Sequence, residues 1–325
     1  AYGMVAAAAA TSEGDAHVYA FDVITGAPMW EPYPLTAPVY PDRGGVAIAD
    51  GRLFAADVNG VVVCLDVLRG TRLWETQLDG AARVYGAVVP TGTGLLLISA
   101  AVPDGTGCLF VLESETGKTR HQTPLPGPSD SAPAFAEGRA FVHTDGGDLI
   151  SIEVATGKTL WTVRCAHVDD PATGTGFDAA PVLYEGQVYS ASATGTVWRH
   201  EAATGTEGWR LAVTNAPLAG TPAHDGALLY LPADDGVHLV SVQAGRAVRR
   251  YPTRLPVRSA PILLGTALFF GATDGVVWGA LPGRTLERLY ETGTTGSQII
   301  AAPAASDGAL FVAATNGVLY ALNVG

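Results

Sequence analysis

The chain has 325 residues, of which 48% are hydrophobic and 15% are charged, and its formal net charge is −12. This apolar content is enough to build a sizeable core and excludes a disordered chain. The negative charge argues against nucleic acid or an anionic membrane surface as a partner. The longest apolar stretch, LLLISAAV at 95–102, is much shorter than the roughly 20 residues of a membrane-spanning helix, so no membrane span is predicted.

Three cysteines, Cys64, Cys108 and Cys165, are far apart and form no CxxC motif. Their number and spacing exclude a disulfide scaffold and a four-cysteine zinc site. Cys64 and Cys108 lie in apolar, strand-like runs, which predicts buried and unreactive thiols. The sequence leaves the cellular compartment open and only slightly favours a location outside the cytoplasm.

A glycine turn recurs seven times along the chain, from VITGAPMW at 23–30 to LPGRTLERLY at 281–290. These turn glycines are 38 to 48 residues apart, and a second glycine series, from Gly51 to Gly308, has spacings of 39 to 48. Within each repeat, runs of alternating apolar residues are separated by tight turns, where glycine supplies the positive φ angle of a hairpin. Four such runs in a period of about 40 to 45 residues are the signature of a β-propeller blade.

In chain order, residues 4–30 supply three strands of a first blade, six complete blades follow, and residues 299–325 supply a last blade that stops after its third strand. The first blade therefore lacks its inner strand and the last blade lacks its outer strand. We predict an all-β fold in which residues 1–325 form a single β-propeller domain, with eight blades of four antiparallel strands rather than seven. The two incomplete blades are what a piece of a larger protein, or a chain trimmed at both ends, would show.

A large side chain follows most of these glycine turns. An aromatic ring on an outermost strand can pack over the turn of the adjacent blade, where glycine leaves space and the indole N–H can reach a backbone carbonyl. We predict this structural docking role for the tryptophans that follow the clearest turns and, by position, for three weaker substitutes. The tryptophans are Trp30, Trp74, Trp161 and Trp209, and the substitutes are His121, Tyr251 and Tyr290.

The motif DxxTGxxxW resembles the pyrroloquinoline-quinone-type repeat, with copies at 22–30, 66–74, 153–161 and 201–209, two of which have Glu in place of Asp. The resemblance covers essentially the whole chain and implies an eight-bladed propeller. Quinoprotein dehydrogenases of this family use the quinone with calcium, a catalytic Asp and often a vicinal Cys-Cys disulfide, and their longer chains enclose the cofactor. This sequence has no Cys-Cys, no long insertion and no matching calcium ligands, so no cofactor or metal is expected.

Other members of the family are ligand-binding or protein-binding propellers, including an outer-membrane-assembly lipoprotein and the sensor domains of bacterial Ser/Thr kinases. This chain is most similar to the sensor domains in its compactness and its Arg- and Ala-rich composition. The resemblance implies a non-catalytic recognition module, a sensor or scaffold domain, that binds a small polar ligand or a protein. The alternative is an enzyme that acts at the mouth of the central channel, either a quinoprotein dehydrogenase or another chemistry that uses Asp130 and Asp178.

Propellers bind ligands at the mouth of the central channel, beside the first residues of each innermost strand. Ala-Pro pairs mark these strands, so we expect the residues just before them to line the mouth. Opposed charges at this position suit a polar or zwitterionic molecule, with arginine holding its acid group, unless the charged residues only pair with one another. The predicted ligand-binding residues are Arg43, Tyr85, Asp130, Ser131, Asp178, Arg258, Ser259 and Gln298.

Overall fold

The computed structural model describes residues 2–11, 14–40, 45–165, 177, 179–281, 283–306 and 308–324. These residues form strands and turns, and none of them forms a helix, so no long apolar helix that could cross a membrane occurs among them. The strands make eight antiparallel sheets, six with four strands and two with three. Each sheet is one blade, numbered I to VIII in chain order. The fold is therefore the eight-bladed, all-β propeller that the repeat predicts, and not the seven-bladed one.

The chain divides into two compact units, Ala1–Gly176 and Phe177–Gly325. Blades I to IV lie in the first unit and blades V to VIII in the second. The single domain expected over residues 1–325 stays a prediction.

In the first unit, the strands of each blade are hydrogen-bonded to one another in chain order. The described strands are β1 (Met4–Ala10), β2 (Ala16–Asp22) and β3 (Tyr33–Leu35) in blade I; β4 (Val46–Ala49), β5 (Arg52–Ala56), β6 (Val61–Asp66) and β7 (Arg72–Gln77) in blade II; β8 (Val89–Pro90), β9 (Leu95–Ala101), β10 (Gly107–Glu113) and β11 (Thr119–Leu125) in blade III; and β12 (Ala134–Ala136), β13 (Arg139–His143), β14 (Asp148–Glu153) and β15 (Lys158–Arg164) in blade IV.

The second unit follows the same plan. Its described strands are β16 (Val182–Tyr184), β17 (Gln187–Ala191), β18 (Thr196–Glu201) and β19 (Glu207–Ala212) in blade V; β20 (Ala223–His224), β21 (Leu228–Ala233), β22 (Gly236–Ser241) and β23 (Ala247–Pro252) in blade VI; β24 (Ile262–Leu264), β25 (Ala267–Gly271), β26 (Val276–Ala280) and β27 (Glu287–Glu291) in blade VII; and β28 (Ala304–Ser306), β29 (Ala309–Ala313) and β30 (Leu319–Asn323) in blade VIII.

The turn between the third and fourth strands of a blade follows from the motif itself. In blade I, the carboxylate of Asp22 accepts hydrogen bonds from the backbone N–H groups of Thr25 and Ile24, at 2.8 and 3.0 Å, and from the Thr25 hydroxyl at 2.9 Å. Gly26 then takes a φ of 68°, which glycine adopts without strain. The bonds from Thr25, and then the one from Ile24, hold the pKa of Asp22 below its usual value. The Asp and the glycine are thus turn-forming residues.

The two middle strands of a blade form the core, and the outer strand only half enters it. In blade II, β5 and β6 are buried along most of their length, whereas β7 alternates between exposed and half-buried residues. One hydrophobic cluster joins Phe54 and Cys64 of blade II to Ile98 and Phe110 of blade III. The faces of neighbouring blades therefore pack on one another, which explains why the middle strands read as continuous apolar runs.

The three cysteines are free and buried. Burial raises the pKa of Cys64 to about 12 and that of Cys108 to about 11. Since the thiolate is the reactive form, the prediction of buried, unreactive thiols at these two positions is confirmed.

Candidate functional site

The segment that leads into an innermost strand alternates between buried and accessible residues. In blade III, Tyr85 is half-buried between the buried Val84 and Gly86, and in blade IV Asp130 is half-buried between two buried serines. Arg258 is exposed at the same place before blade VII. Extended backbone places alternate residues on opposite sides, so Tyr85, Asp130 and Arg258 face away from the core, where a binding partner can reach them.

Tyr85 and Asp130 come together in the first unit through an arginine that the sequence analysis did not select. The guanidinium Nη2 of Arg83 donates to both carboxylate oxygens of Asp130, at 3.0 and 3.1 Å. The same guanidinium lies 4.7 Å from the centre of the Tyr85 ring, and the Tyr40 and Tyr85 ring centres are 4.3 Å apart. Tyr40, Arg83, Tyr85 and Asp130 form one continuous cluster, called the Arg83 cluster below.

The ion pair keeps the Arg83 cluster charged and oriented. Burial lowers the pKa of Arg83, but the hydrogen bond and the negative charge of Asp130 outweigh it, so the net shift is upward. The side chain of Arg83 is 40% exposed, whereas that of Asp130 is 13% exposed. The carboxylate therefore serves as an anchor, and the guanidinium and the tyrosine rings are the parts that solvent or a partner meets.

The two serines that flank Asp130 lie on the opposite, buried side of the segment. Ser129 and Ser131 are 0% and 2% exposed, and neither hydroxyl has a hydrogen-bond partner among the residues that the structure describes. The backbone carbonyl of Ser131 accepts a hydrogen bond from Ser99 Oγ, and a Cβ added to Gly86 would lie 2.7 Å from the Ser131 backbone. This close approach fixes the two lead-in segments against each other. The structure therefore does not bring Ser131 to the accessible surface, because backbone alternation turns it inward.

In the second unit, the predicted residues have different roles. Arg258 Nη2 is 3.3 Å from Asp234 Oδ1, which is a single contact between partly exposed groups. The buried Ser259 hydroxyl donates to the carbonyl of Gly271 at 2.9 Å and accepts from its N–H at 3.0 Å. Gln298 is exposed, and its backbone N–H donates to Thr315 Oγ1. Ser259 is thus occupied in holding the backbone of blade VII, while Arg258 and Gln298 are accessible.

Two predicted ligand-binding residues, Arg43 and Asp178, lie outside the described residues. The predicted pocket that combines residues of both units stays a prediction. The structure adds Arg83 and Tyr40 to the prediction in the first unit. Arg83 could have been predicted from the sequence, because it is two residues before Tyr85 and extended backbone turns such residues to the same side. Tyr40 could not have been predicted, because it lies 45 positions earlier in the chain than Tyr85 and no local pattern connects the two.

Three of the predicted docking tryptophans, Trp30, Trp74 and Trp209, reach the next blade through their indole N–H groups. The indole Nε1 of Trp30 donates to the Val67 carbonyl at 3.3 Å, that of Trp74 to Ser114 at 3.0 Å, and that of Trp209 to Val242 at 3.2 Å. A Cβ at Gly70 would lie 2.7 Å from Trp30 Cγ, so the ring covers the turn glycine. Trp161 packs on Phe141 with ring centres 5.8 Å apart.

The weaker substitutes behave differently from one another. His121 Nε2 is 2.8 Å from the Ala155 carbonyl of the next blade, and the Tyr290 ring lies 5.2 Å from Tyr320 of blade VIII. Tyr251 is instead buried in the core shared by blades VI and VII. Arg249 takes the docking position, where its Nη1 donates to the Arg284 carbonyl at 2.9 Å. The assignment of Tyr251 is corrected because Arg249, four residues after the turn glycine, has the register of the tryptophans.

No group of three or more His, Cys, Asp or Glu side chains that could hold a metal ion occurs in the part of the chain that the structure describes. What the Arg83 cluster offers chemically is a fixed cation over the ring of Tyr85, beside the ring of Tyr40. Such a group can stack on, and hydrogen-bond to, a partner.

The family model described as "Outer membrane protein assembly factor BamB" matches residues 14–101, 83–182 and 167–282. The outer membrane protein assembly factor BamB of Salmonella typhimurium is 25% identical over 287 residues, which cover 86% of this chain and 71% of that protein. The serine/threonine-protein kinase AfsK of Streptomyces griseus is 26% identical over 299 residues, which cover 84% of this chain but 33% of the kinase. This chain therefore spans about a third of the kinase's length.

Solved structures show the same fold. The crystal structure of BamB from Moraxella catarrhalis has a TM-score of 0.74 and 18% identity, and covers 97% of this chain and 90% of that one. A europium-containing methanol dehydrogenase also has a TM-score of 0.74, with 14% identity, and covers 98% of this chain and 80% of that one. At these identities the likeness concerns the propeller alone. The resemblance to the pyrroloquinoline-quinone-type repeat is confirmed.

Proposed function

We propose that this chain, which belongs to the family described as outer membrane protein assembly factor BamB, is a non-catalytic recognition module that binds a protein partner. The Salmonella relative is named as an assembly factor, which supports a scaffold role. A finer role as the sensor part of a larger signalling protein is supported by the match to about a third of a serine/threonine kinase.

The observation that carries this proposal is the Arg83 cluster. Arginine and tyrosine are enriched among the residues that dominate protein–protein binding, and here both are held in place before a partner arrives. Preorganised groups lose less conformational entropy on binding. Because Asp130 already occupies two hydrogen bonds of Arg83, a free acid would have to compete with it, which favours a protein surface over a small anionic ligand.

The proposal is tested by selecting random linear peptides, displayed on phage, against the whole chain. We expect families of related peptides that bind the parent chain and no longer bind the Arg83→Gln or the Tyr40→Ala variant. Tyr40→Ala leaves the ion pair between Arg83 and Asp130 intact. Arg210→Gln, at an exposed arginine on the outer strand of blade V, is the matched control and should retain them. If every selected peptide still bound both Arg83→Gln and Tyr40→Ala, the proposed binding surface would be contradicted.

The alternative from another class is a quinoprotein dehydrogenase, which shares the fold. An absorbance titration with pyrroloquinoline quinone, with and without calcium, separates the two. Calcium-dependent uptake of the quinone would favour the dehydrogenase, and an unchanged quinone spectrum is the outcome expected for a recognition module.

A further inference from the structure

Two adjacent grooves run along the outer side of blades VI and VII and share Trp278. The smaller, of about 400 Å³, is lined by Arg249, Arg250, Arg284 and Leu286, among others. The larger, of about 600 Å³, is lined by Arg254, Leu255 and Arg288, among others. Together they are called the Trp278 groove, and all of it lies within the second unit.

The groove is open because this blade pair lacks the docking ring that fills the same space elsewhere. Where Trp209 covers the turn of blade VI, a Cβ at Gly245 would lie 2.6 Å from the indole. At the corresponding turn of blade VII, a Cβ at Gly283 would meet nothing within 4 Å. Arg249 instead reaches the Arg284 carbonyl. The repeat is therefore interrupted at the turn of blade VII, and the interruption leaves an accessible cleft.

The groove is positively charged in a protein whose formal net charge is −12. Five arginines line it, against two acidic residues, Asp274 and Glu291. Glu291 pairs with Arg288 at 2.8 Å, and Asp274 accepts the Val276 N–H at 3.1 Å. Arg254 and Arg284 have no acidic partner among the described residues, so their charges are available to an acidic ligand.

The groove also offers apolar contact and a hydrogen-bond donor. Leu255 is 45% exposed at its wall, and Leu286 lines the smaller part. The indole Nε1 of Trp278 is buried, and no acceptor for it occurs among the described residues, so this donor is left for a ligand to satisfy. A ligand that suits all three features is elongated, carries several negative charges and places apolar side chains between them.

We propose that the Trp278 groove binds an extended acidic peptide segment of a protein partner. Arg254 and Arg284 pair with its carboxylates, and Leu255 and the Trp278 ring receive its apolar side chains. This surface is separate from the Arg83 cluster, which lies in the first unit, and it adds a second recognition function. A nucleic acid is the other polyanion that the arginines could attract, and the exposed Leu255 at the wall favours a peptide, which can place apolar side chains there.

The test uses a fluorescein-labelled peptide of alternating glutamate and leucine and measures its fluorescence anisotropy with the whole chain. We expect binding that weakens on the order of 10-fold when Arg254→Gln and Arg284→Gln are combined, since each removes a charge partner. Arg249→Trp should also weaken binding, because its ring fills the smaller groove. The matched control is Arg69→Gln with Arg210→Gln, which removes two exposed arginines elsewhere.

Two further labelled ligands, a basic peptide and an oligonucleotide, show whether the groove prefers an acidic peptide. A peptide of alternating lysine and leucine should not bind, and a single-stranded oligonucleotide should bind less tightly than the acidic peptide. The proposal is overturned if the lysine peptide binds equally well, if the oligonucleotide binds more tightly, or if the double arginine variant binds like the parent. Arg83→Gln should leave the anisotropy of the acidic peptide unchanged. The proposal for the Trp278 groove and the proposal for the Arg83 cluster can therefore fail independently of each other.

Discussion

Gly70 and Gly26 hold the same turn position in neighbouring blades, with φ angles of 66° and 68°, but they have different surroundings. A Cβ at Gly70 would lie 2.7 Å from Trp30 Cγ, whereas a Cβ at Gly26 would meet nothing within 4 Å. Each glycine-to-alanine change introduces backbone strain of about 1 kcal/mol at a positive φ. Only Gly70→Ala must also displace an indole.

We therefore expect Gly70→Ala to lower the free energy of unfolding by about 2 kcal/mol more than Gly26→Ala does, within the range for overpacked sites. Urea denaturation followed by tryptophan fluorescence measures both variants. Equal losses would show that the Trp30 ring adjusts freely and that its contact with the turn contributes little.

At single residues, spacing proved a better guide than residue type. Trp209 has both the residue type and the spacing of a docking residue, and its indole reaches the next blade. Tyr251 was chosen only because it is the nearest aromatic residue, whereas Arg249 has the correct spacing after Gly245 and makes the contact. Arg83 was missed because the prediction considered only the two residues before each Ala-Pro pair. The packing of Tyr40 against Tyr85 depends on how two separate segments meet in space, which no local pattern records.

At the scale of one element, β23 is the outer strand whose docking position holds an arginine. Placing tryptophan there restores the repeat over Gly283, where space is open. We expect Arg249→Trp to raise the free energy of unfolding by about 1 kcal/mol, as repeat-consensus changes commonly do. Thermal and urea denaturation measure it, with Arg210→Trp on β19 as the control for an added indole on an exposed strand.

If Arg249→Trp destabilised the protein, or if Arg210→Trp stabilised it equally, the space over Gly283 would not be an unfilled docking site. A gain in stability combined with weaker binding of the acidic peptide would mean that blade VII gives up stability in order to keep the Trp278 groove open.

The strands themselves were predictable because alternating apolar runs and glycine turns are local signals. The register shifts within strands were less predictable. The outer strand shifts register directly beside the pair Ser151 and Trp161 in blade IV and directly beside the pair Val277 and Tyr290 in blade VII. Such bulges depend on how a strand fits its neighbours. The side of a segment that a serine faces, as for Ser131 and Ser259, follows the same alternation and could have been predicted.

For the whole molecule, the repeat period predicted a propeller, because each blade must bury its faces on neighbours with the same pattern. The choice of eight blades over seven came from the family resemblance together with the strand count. Function is less accessible, since a propeller fold serves many roles. The charged residues before the innermost strands were predicted because the repeat needs only small apolar residues at those positions, so charges stand out. The Trp278 groove was not predicted, because it arises from a missing ring between two blades and has no sequence motif of its own.

The stability of the whole molecule should depend on pH through His200, which is 2% exposed. Burial lowers the pKa of this imidazole, and the nearby Glu207 opposes the shift only in part. Below the unfolded pKa, about 6.5, the unfolded chain takes up a proton that folded His200 resists, so acid favours unfolding. The contribution is complete above that pKa and is lost as the pH falls through the lower, folded value.

We therefore expect the free energy of unfolding to decrease between about pH 7 and pH 5, and to decrease less steeply in His200→Gln, because that variant has no buried imidazole to protonate. Urea denaturation at a series of pH values measures the slope, with His121→Gln as a matched loss of one imidazole from an outer strand. Parallel slopes for the parent and His200→Gln would mean that other groups set the acid response. A flatter slope for His200→Gln alone would place the response at the buried strands β17 and β18 of blade V, where His200 pairs with Val188.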